Sequence, residues 1–479
     1  MVFSSVIFIF YFLPVFLVGY WVSGWRTGVL LAGSAAFYVW GEGAYVFLLG
    51  ALILANYAGA RALASAQATG RRRAILAGLV VADLAVLGFF KYAGFLAETA
   101  NAFLPGDPLP KVEVALPLGI SFFTFQLISY IADVYWRRVE VERNLLKFAT
   151  YILMFPHLIA GPIVRFADIR AELHADRRTT GRIGLGIQYF IVGLTQKVLV
   201  ANTVAPLADR AFGLDAALLD PGTAWLGALA YTLQIYFDFC GYSNMAIGLA
   251  SMLGFTFPKN FDYPYAARSI TEFWRRWHIS LSSWFRDYVY IPLGGNRGGQ
   301  FQTLRNLLIV FLLTGLWHGA AWTFVLWGLY HGAFLLAERL GLGRLLAAGP
   351  QALSRAYTLL AVMIGWVLFR AETLPDATAY LARMADIGGW TGLPVGTLIL
   401  LDSQRLAALA LGCVFAFPVL PWMLDRMRAP RLPASPTIEA RLDTQAVHVL
   451  ATPVLILAFV VSIAALAGSS LNPFLYFRF

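Results

Sequence analysis

Long apolar stretches separated by short charged loops run through most of the chain. The first five lie near residues 3–22, 28–41, 44–60, 74–96 and 114–136. Others follow at about 184–206, from Trp225 onward, at 304–317 with a return toward Glu338, and at 356–371, 405–424 and 447–467. Because about twenty apolar residues of helix cross a bilayer, we predict an all-α polytopic membrane protein with about 11–13 membrane segments. Residues 1–479 would form a single integral membrane domain.

The charges of the loops alternate in sign along the chain. The basic loops contain Arg26, Arg61, Arg71, Arg72, Arg73, Arg137, Arg138, Arg143 and Lys147, and the acidic loops contain Glu42, Glu98, Asp107 and Glu113. Since basic loops tend to remain in the cytoplasm, the N-terminus is predicted to lie outside. The same pattern places the basic loop RMRAPRLPASP in the cytoplasm and the C-terminal LNPFLYFRF at the outer face.

One apolar segment, KFATYILMFPHLIAGPIVRF, breaks this alternation. The chain is again rich in arginine from Arg165 to Arg182, so both ends of the segment are expected in the cytoplasm. Two prolines and a glycine interrupt any regular helix there. We predict a re-entrant segment at about residues 148–164, whose irregular backbone requires cover from other protein or contact with water. The ring of His157, within it, either bonds a neighbouring carbonyl or has a functional role.

The segment SITEFWRRWHISLSSWFRDYVYIP has apolar residues at three- and four-residue steps, the period of one face of a helix. Ser269 followed by Glu272 has the spacing of a capping box, a motif that begins helices. The segment carries too many charges to span a bilayer, and its apolar face is too broad for a helix in water. We predict one interfacial helix over residues 270–291, with His278 on its apolar side.

A second histidine lies in the middle of the apolar run NLLIVFLLTGLWHGAAWTFVLWGLYHG. The fourteen helical residues from Leu304 climb about 21 Å, so His318 is expected well inside the membrane. An ionisable group at that depth is a candidate for function, and a histidine that only bonds a neighbouring helix is the alternative. Gly315 and Gly319 would allow backbone and substrate to approach closely. His331 falls off this helical face and is expected to be structural.

A polar cluster interrupts the apolar segment LQIYFDFCGYSNMAIGLASMLGF and contains Asp238 and Asn244. A carboxylate at membrane depth either faces a water-filled cavity or bonds a neighbouring helix and fixes its packing. The sequence leaves both alternatives open.

Composition narrows the classes of function. Of the 479 residues, 59% are hydrophobic and 13% are charged, and the mean hydropathy of +0.69 excludes an ordinary soluble enzyme. The net charge of +10 is spread over the loops, which favours membrane topology over nucleic-acid binding. The sequence has no Walker loop, dinucleotide fingerprint or HExxH motif, and its two cysteines lie far apart, so neither a metal site nor a disulfide framework is predicted.

Several of these segments together resemble the membrane-bound O-acyltransferase family, and within it the membrane subunits of bacterial alginate O-acetylation. The most specific blocks are RRWHISLSSWFRDYVYIPLGG and GLWHG at their mutual spacing; MVFSSVIFIFYFLPVF, SFFTFQLISYIADVY and MFPHLIAGPIVR also match. The resemblance implies a ring of tilted transmembrane helices around a thinned centre, pierced by a tunnel between a cytoplasmic and an external entrance. It also implies that His318 is the principal catalytic residue and that His278 is a second active-site residue.

The function that the resemblance implies is O-acetylation of an exopolysaccharide such as alginate, with acetyl groups passed across the bacterial inner membrane. Acetyl-CoA is the expected donor, and no permanently bound cofactor is expected. The expected partners are periplasmic acetyltransferases, the polysaccharide acceptor and the lipid bilayer, and not nucleic acid. Cellulose, peptidoglycan and teichoic acid are alternative acceptors. A transporter is the alternative from another class, but it would need two related halves, and the sequence shows no such repeat.

Within this framework, His318 is expected to act as general base on the acceptor hydroxyl, and His278 to orient the donor or relay the proton. A direct acetyl-histidine intermediate is the alternative. Binding of substrate or donor is expected to involve Asp238, Asn244, Arg275, Arg276 and Trp317. The two arginines would attract the anionic donor to the cytoplasmic mouth or, alternatively, anchor the interfacial helix to lipid phosphates.

Overall fold

The computed structural model describes residues 2–106, 108–176, 178–390, 392–419, 421–423 and 445–468. These residues form α-helices and short π- and 3-10-helical turns, with no strand among them. The predicted cytoplasmic loop RMRAPRLPASP and the C-terminal LNPFLYFRF lie outside the described residues. The prediction of an all-α chain is therefore confirmed for the part that the structure describes.

The α-helices are numbered here in chain order. The N-terminal part contains α1 (Leu13–Val22), α2 (Arg26–Glu42), α3 (Tyr45–Ser65), α4 (Thr69–Asn101), α5 (Ile120–Tyr135), α6 (Leu145–Leu153), α7 (Phe155–Leu158), α8 (Phe166–His174), α9 (Thr180–Thr195) and α10 (Asn202–Phe212). The middle part contains α11 (Pro221–Met252), α12 (Ile270–Arg276), α13 (Ile279–Phe285), α14 (Gln300–His318) and α15 (Trp322–Ala337). The C-terminal part contains α16 (Gly343–Ala348), α17 (Gln351–Arg370), α18 (Leu374–Ala385), α19 (Val395–Leu400), α20 (Ser403–Phe415) and α21 (Gln445–Gly468). Turns of π-helix occur at Phe8–Phe12, Gln196–Ala201, Arg286–Tyr290 and Glu338–Leu342.

Four helical stretches within the described residues are long and apolar enough to cross a membrane. They are α3, α4, the continuous stretch Thr180–Phe212 and α17. Shorter apolar helices occur at Phe8–Val22, Ile120–Tyr135, Ser403–Phe415 and Thr452–Gly468. The predicted spans at 44–60, 74–96, 184–206 and 356–371 thus correspond to helices of spanning length. The other predicted spans form helices that are shorter, interrupted or more polar.

Paired glycines bring α9 and α11 into close contact. A Cβ on Gly193 would lie 2.4 Å from the carbonyl oxygen of Gly241, and a Cβ on Gly186 would lie 2.5 Å from that of Gly248. Within each helix the two glycines are two turns apart and therefore share one face. Small residues let helix backbones approach closely in a membrane, where no hydrophobic effect drives helices together. This face therefore joins α9 and α11 tightly.

Buried side chains form two large apolar clusters. One contains rings such as Phe37, Tyr151 and Trp317 of α14. The other contains rings such as Trp277, which follows α12, and Trp327, which lies in α15. Since Trp317 and Trp327 belong to different clusters, the turn between α14 and α15 lies where the two clusters meet.

The predicted interfacial helix begins where the sequence indicated. The hydroxyl of Ser269 accepts a hydrogen bond from the backbone N–H of Glu272 at 3.0 Å, and α12 starts at Ile270. The helix is not continuous, however, because His278 adopts the left-handed conformation with φ +43° and ψ 56°, between α12 and α13. The prediction of one helix over residues 270–291 is therefore wrong.

A neighbouring loop explains this break. The backbone N–H of Asp262 donates to the carbonyl of Arg276, and the N–H of Ile279 donates to the carbonyl of Asn260, both at 2.9 Å. The side-chain oxygen of Asn260 also accepts hydrogen bonds from the backbone N–H and hydroxyl of Ser280, at 3.2 and 2.8 Å. These bonds replace the helical bonds that would otherwise cross the break. The apolar period continues across it, so the sequence pattern did not show it.

The predicted re-entrant segment is irregular and buried. α6 ends at Leu153, Met154 has φ −51° and ψ 109°, and the four-residue α7 follows. Residues 150–164 are all buried, which meets the requirement that irregular backbone at membrane depth be covered by protein. The Nε2 of His157 donates to the carbonyl of Tyr151 at 2.7 Å, as in the alternative of a bond to a neighbouring carbonyl.

Candidate active site

His318 is the last residue of α14 and lies in the turn that leads to α15. The two helices pack so closely that a Cβ on Gly315 would lie 2.3 Å from the carbonyl oxygen of Phe324. The side chain of His318 is 4% exposed. Its ring centroid lies 4.8, 5.0 and 5.1 Å from the centroids of Trp317, Trp327 and Phe369.

The ring of His318 makes no hydrogen bond with any of the residues that the structure describes, through either nitrogen. A buried polar group without a partner costs about 1–3 kcal/mol, so native proteins retain few of them. Both nitrogens are therefore available to a bound molecule. An open ring nitrogen can exchange a proton with a bound substrate.

His318 also reaches a cavity. This cavity, the His318 cavity, has a volume of ≈ 90 Å³ and is lined by Lys91, residues 116–122, Ile159, Trp317 and His318. A second cavity of ≈ 470 Å³, lined in part by Trp40 and Glu42, shares Leu118 with it. The imidazole is therefore buried from bulk water but is not sealed within the core.

Two residues of α4 bind the C-terminal end of α14. The ammonium group of Lys91 donates to the carbonyl oxygen of Trp317 and, at 3.3 Å, to that of His318. The hydroxyl of Tyr92 donates to the carbonyl oxygen of Leu316 at 2.5 Å. Neither residue was predicted from the sequence as part of the site. A lysine deep in the 33-residue α4 was a signal, because ionisable groups at membrane depth tend to be functional.

His278 lies near Trp317 as well. Its ring centroid is 6.0 Å from that of Trp317 and 4.7 Å from that of Phe239. Its Nδ1 lies 3.1 Å from the side-chain oxygen of Asn260, whose amide nitrogen donates to the hydroxyl of Ser243 at 3.0 Å. That oxygen also accepts a backbone N–H, so Nδ1 must carry the proton. The Nε2 of His278 has no partner in the described part of the chain and is the acceptor that stays open.

Asp238 and Asn244 bond to the segment between α9 and α10. One carboxylate oxygen of Asp238 accepts a hydrogen bond from the buried ammonium group of Lys197 at 2.5 Å, and Lys197 also donates to Asn202 at 3.1 Å. The amide nitrogen of Asn244 donates to the side-chain oxygen of Gln196 at 2.8 Å. These bonds favour the packing alternative for Asp238. A role in substrate binding stays a prediction for both residues.

The two arginines before His278 differ in their contacts. Arg275 is exposed, whereas Arg276 forms an ion pair with Glu272 at 2.8 Å and donates to the carbonyl of Asp262 at 3.1 Å. Partial burial acts to raise the pKa of Glu272, but bonds from the backbone N–H of Arg268 and from Arg276 outweigh it and lower that pKa below its ordinary value. The pair is therefore charged at neutral pH, and Arg276 holds α12 in place.

The structure thus brings together three of the residues singled out from the sequence. Trp317 lies beside both His318 and His278, and the open nitrogens of the two imidazoles can accept or deliver protons. Within the described ranges, no group of three His, Cys, Asp or Glu side chains is arranged to hold a metal ion. Asn260, which no sequence pattern indicated, fixes the tautomer of His278 and lies in a loop without a recognisable motif.

Comparison with known proteins identifies the family. The profile of the membrane-bound O-acyltransferase family matches residues 137–372, which include both histidines. The chain is 43% identical over 507 residues to a probable alginate O-acetylase of Azotobacter vinelandii, and the match covers 100% of both proteins. It is 46% identical over 423 residues to a probable alginate O-acetylase of Pseudomonas aeruginosa, covering 84% of this chain and 80% of that protein. A peptidoglycan O-acetyltransferase of Helicobacter pylori is 35% identical over 427 residues, with 81% and 80% covered.

Relatives with this identity over the whole chain share its family and its type of reaction. The chain belongs to the membrane-bound O-acyltransferase family and is an O-acyltransferase.

Proposed function

We propose that the protein passes acetyl groups from cytoplasmic acetyl-CoA across the bacterial inner membrane for O-acetylation of an exopolysaccharide such as alginate. The observation that carries the proposal is the buried ring of His318, which lines a cavity and has two nitrogens without partners among the described residues. The similarity to two probable alginate O-acetylases supports alginate as the acceptor.

The position of the His318 cavity supports delivery to the outer side. The first turns of α4 contain the basic residues Arg71, Arg72 and Arg73, which are predicted to be cytoplasmic. Lys91, in the cavity wall, lies eighteen residues beyond Arg73, or about 27 Å along the helix axis. The other wall, residues 116–122, directly follows the acidic loop that contains Glu113. We therefore assign this cavity to the acceptor.

In the proposed reaction, a ring nitrogen of His318 takes the proton of the acceptor hydroxyl as its oxygen attacks the carbonyl carbon of the thioester. The new C–O bond forms, the C–S bond breaks, and the proton passes from the imidazolium to the leaving thiolate. The products are an O-acetyl ester and CoA with a free thiol, and His318 returns to its neutral form. His278, with Nε2 open, orients the donor or relays the proton.

The charges near His278 suit an anionic donor. Arg275 is exposed and can attract the phosphates of CoA, while the charge of Arg276 is balanced by Glu272. We therefore assign the electrostatic attraction of the donor to Arg275. Binding of lipid phosphates by the same side chain is the alternative.

The finer architecture belongs to the same proposal. A ring of tilted helices around a thinned centre would let the segments that are broken at Met154 and at His278 approach His318 from opposite sides. The small number of described helices with spanning length supports it, as do the buried breaks at Met154 and His278. Transfer to separate periplasmic acetyltransferases would complete modification of the polymer.

The proposal is tested in cells that lack the native gene and carry either the wild type or His318→Ala. We expect ester-linked acetate on one surface glycan to fall to background in the variant, and the glycan affected identifies the acceptor among alginate, cellulose, peptidoglycan and teichoic acid. His174→Ala is the matched control, because this exposed histidine bonds Glu142, away from the cavity. Normal acetylation by a folded His318→Ala protein would contradict the proposal.

A cell-free assay separates transfer from transport. The purified protein in detergent should cleave the thioester of acetyl-CoA or exchange its acetyl group, and His318→Ala should not. A transporter without transferase chemistry would neither cleave acetyl-CoA nor exchange its acetyl group, whether or not His318 is present.

A further inference from the structure

Lys91 is an ammonium group at membrane depth that the proposed reaction does not use. It lies in an apolar part of α4 and lines the His318 cavity. Its nitrogen is 5.9 Å from the ring centroid of Trp317 and donates to the carbonyl oxygens of Trp317 and His318. A lysine in the hydrocarbon region is costly unless it has such partners.

These bonds are made to the C-terminal end of α14, where the helix leaves carbonyl groups without partners. The last four carbonyls of a helix have no partner within the helix, and the helix dipole makes that end negative. Lys91 supplies donors and a positive charge, which together are worth up to about 2 kcal/mol in a partly buried site. Tyr92 adds a bond to the carbonyl of Leu316. Two consecutive residues of α4 therefore bind three consecutive carbonyls, of residues 316–318.

The ring of His318 depends on this attachment because it makes no hydrogen bond of its own to any described residue. Packing against Trp317, Trp327 and Phe369 limits its rotation, but the location of its Cα is set by the end of α14. Misplacement of a reacting group by about 1 Å can reduce a rate about 100-fold. The bonds that fix the end of α14 therefore also fix the position of His318, the proposed base.

We propose that Lys91, assisted by Tyr92, is a positioning residue for acyl transfer. It holds the main chain of His318 at the wall of the cavity, so that the imidazole meets the acceptor hydroxyl in a reactive geometry. This inference rests on the proposed function of His318 as the base.

The test compares Lys91→Met, Lys91→Arg and Tyr92→Phe in purified protein, with acetyl-CoA cleavage as the assay and melting temperature as the measure of folding. Methionine keeps much of the length and removes the charge and donors, whereas arginine keeps both. For Lys91→Met we expect kcat per folded molecule to fall about 10–100-fold at an unchanged KM for acetyl-CoA. Lys91→Arg should recover at least about 10-fold of that loss, and Tyr92→Phe should lower kcat about 2–5-fold.

The end of α11 provides matched controls. There Arg182 donates to the carbonyl of Gly254 at 2.8 Å, and the hydroxyl of Tyr20 donates to the carbonyl of Leu253 at 2.9 Å. Arg182→Met and Tyr20→Phe remove the same kinds of bond from a helix end that carries no histidine. We expect them to lower the melting temperature by amounts similar to the α4 variants and to leave kcat per folded molecule unchanged.

Full kcat per folded molecule in Lys91→Met would overturn the inference, and so would equal kcat in the methionine and arginine variants. If Lys91→Met does not fold, Tyr92→Phe decides, and an unchanged kcat in that variant counts against positioning. An active His318→Ala protein would overturn the proposed function itself. An inactive His318→Ala protein with a fully active Lys91→Met protein would overturn only the role of Lys91.

Discussion

The end of α14 and the middle of α11 each carry an ionisable side chain deep in an apolar environment, and they treat it in opposite ways. The carboxylate of Asp238 is bonded to Lys197 at 2.5 Å, and both side chains are buried. The ring of His318 makes no hydrogen bond within the described residues and lines a cavity instead. Burial alone therefore does not distinguish a functional group from a structural one. His318 differs from Asp238 in that its ring nitrogens have no partner among the described residues and the ring lines a cavity.

His278 lies between these two extremes. One ring nitrogen is bonded to Asn260 and the other has no partner among the residues described. A ring that is held through one nitrogen and open at the other presents a fixed acceptor, which is compatible with the proposed orientation of the donor or relay of a proton. In the proposed function His318 is the base and His278 its assistant, and the bond of Asp238 to Lys197 favours a role in packing.

The largest expected effect on turnover follows from replacing the ring of His318, whose nitrogens have no partner among the described residues. His318→Gln keeps size and polarity but cannot accept a proton, so turnover should fall about 10²–10⁴-fold. Because no hydrogen bond to described residues is lost, the melting temperature in detergent should change little. Turnover and thermal unfolding of the same preparation check both statements. A variant that unfolds earlier but keeps its turnover would reverse the assignment.

Breaking the ion pair between Lys197 and Asp238 should have the opposite effect, because stability should fall while turnover should not. Lys197→Met leaves the carboxylate of Asp238 buried without its cation, which should cost about 3–5 kcal/mol of stability. Turnover per folded molecule should stay near the wild-type value. The double variant Lys197→Met with Asp238→Leu should recover much of the stability, because an apolar pair has no charge to leave uncompensated. Lost turnover at an unchanged melting temperature would instead make Asp238 a site residue.

An intermediate effect is expected at His278. His278→Ala should lower kcat about 10–100-fold, less than the change at His318, because it removes an assisting group rather than the base. Asn260→Ala releases Nδ1 while keeping the ring, so its kcat should fall between those of His278→Ala and the wild type. Steady-state kinetics with acetyl-CoA give both values. Equal losses for His278→Ala and the His318 variant would mean that the two rings share one role.

The smallest expected effect concerns the exposed Arg275. Arg275→Gln should raise the KM for acetyl-CoA about 2–5-fold, and the difference should shrink at high salt because exposed charges are screened. Arg276→Gln is the matched control, since the charge of Arg276 is already balanced by Glu272. Its KM should change less and its stability more. An equal KM change in both variants would favour a general attraction of anions to α12.

The sequence pattern predicted the features that depend on local periodicity and burial. The long apolar stretches became α3, α4 and α17, the capping residue Ser269 began α12, and both His278 and His318 are buried. The break in the interfacial helix could not be predicted in this way, because its cause is a set of backbone bonds from a separate loop.

Contacts between residues distant in sequence could not be predicted either, because they also depend on bonds from a separate part of the chain. Lys91 bonds a carbonyl 226 residues away, and Lys197 bonds a carboxylate 41 residues away. Periodicity shows which face of a helix is apolar, but it does not show which polar group on another helix meets a given side chain. The sequence therefore did not show that Lys197 is the partner of Asp238, the bond that favours the packing alternative.

If His278 assists acyl transfer as proposed, its left-handed backbone places stability and turnover in conflict. A side chain in that conformation costs about 1–3 kcal/mol, and glycine would relieve it. Screening for hardier variants of this enzyme would therefore tend to select glycine at position 278, and each such gain would remove the imidazole that lies next to Trp317.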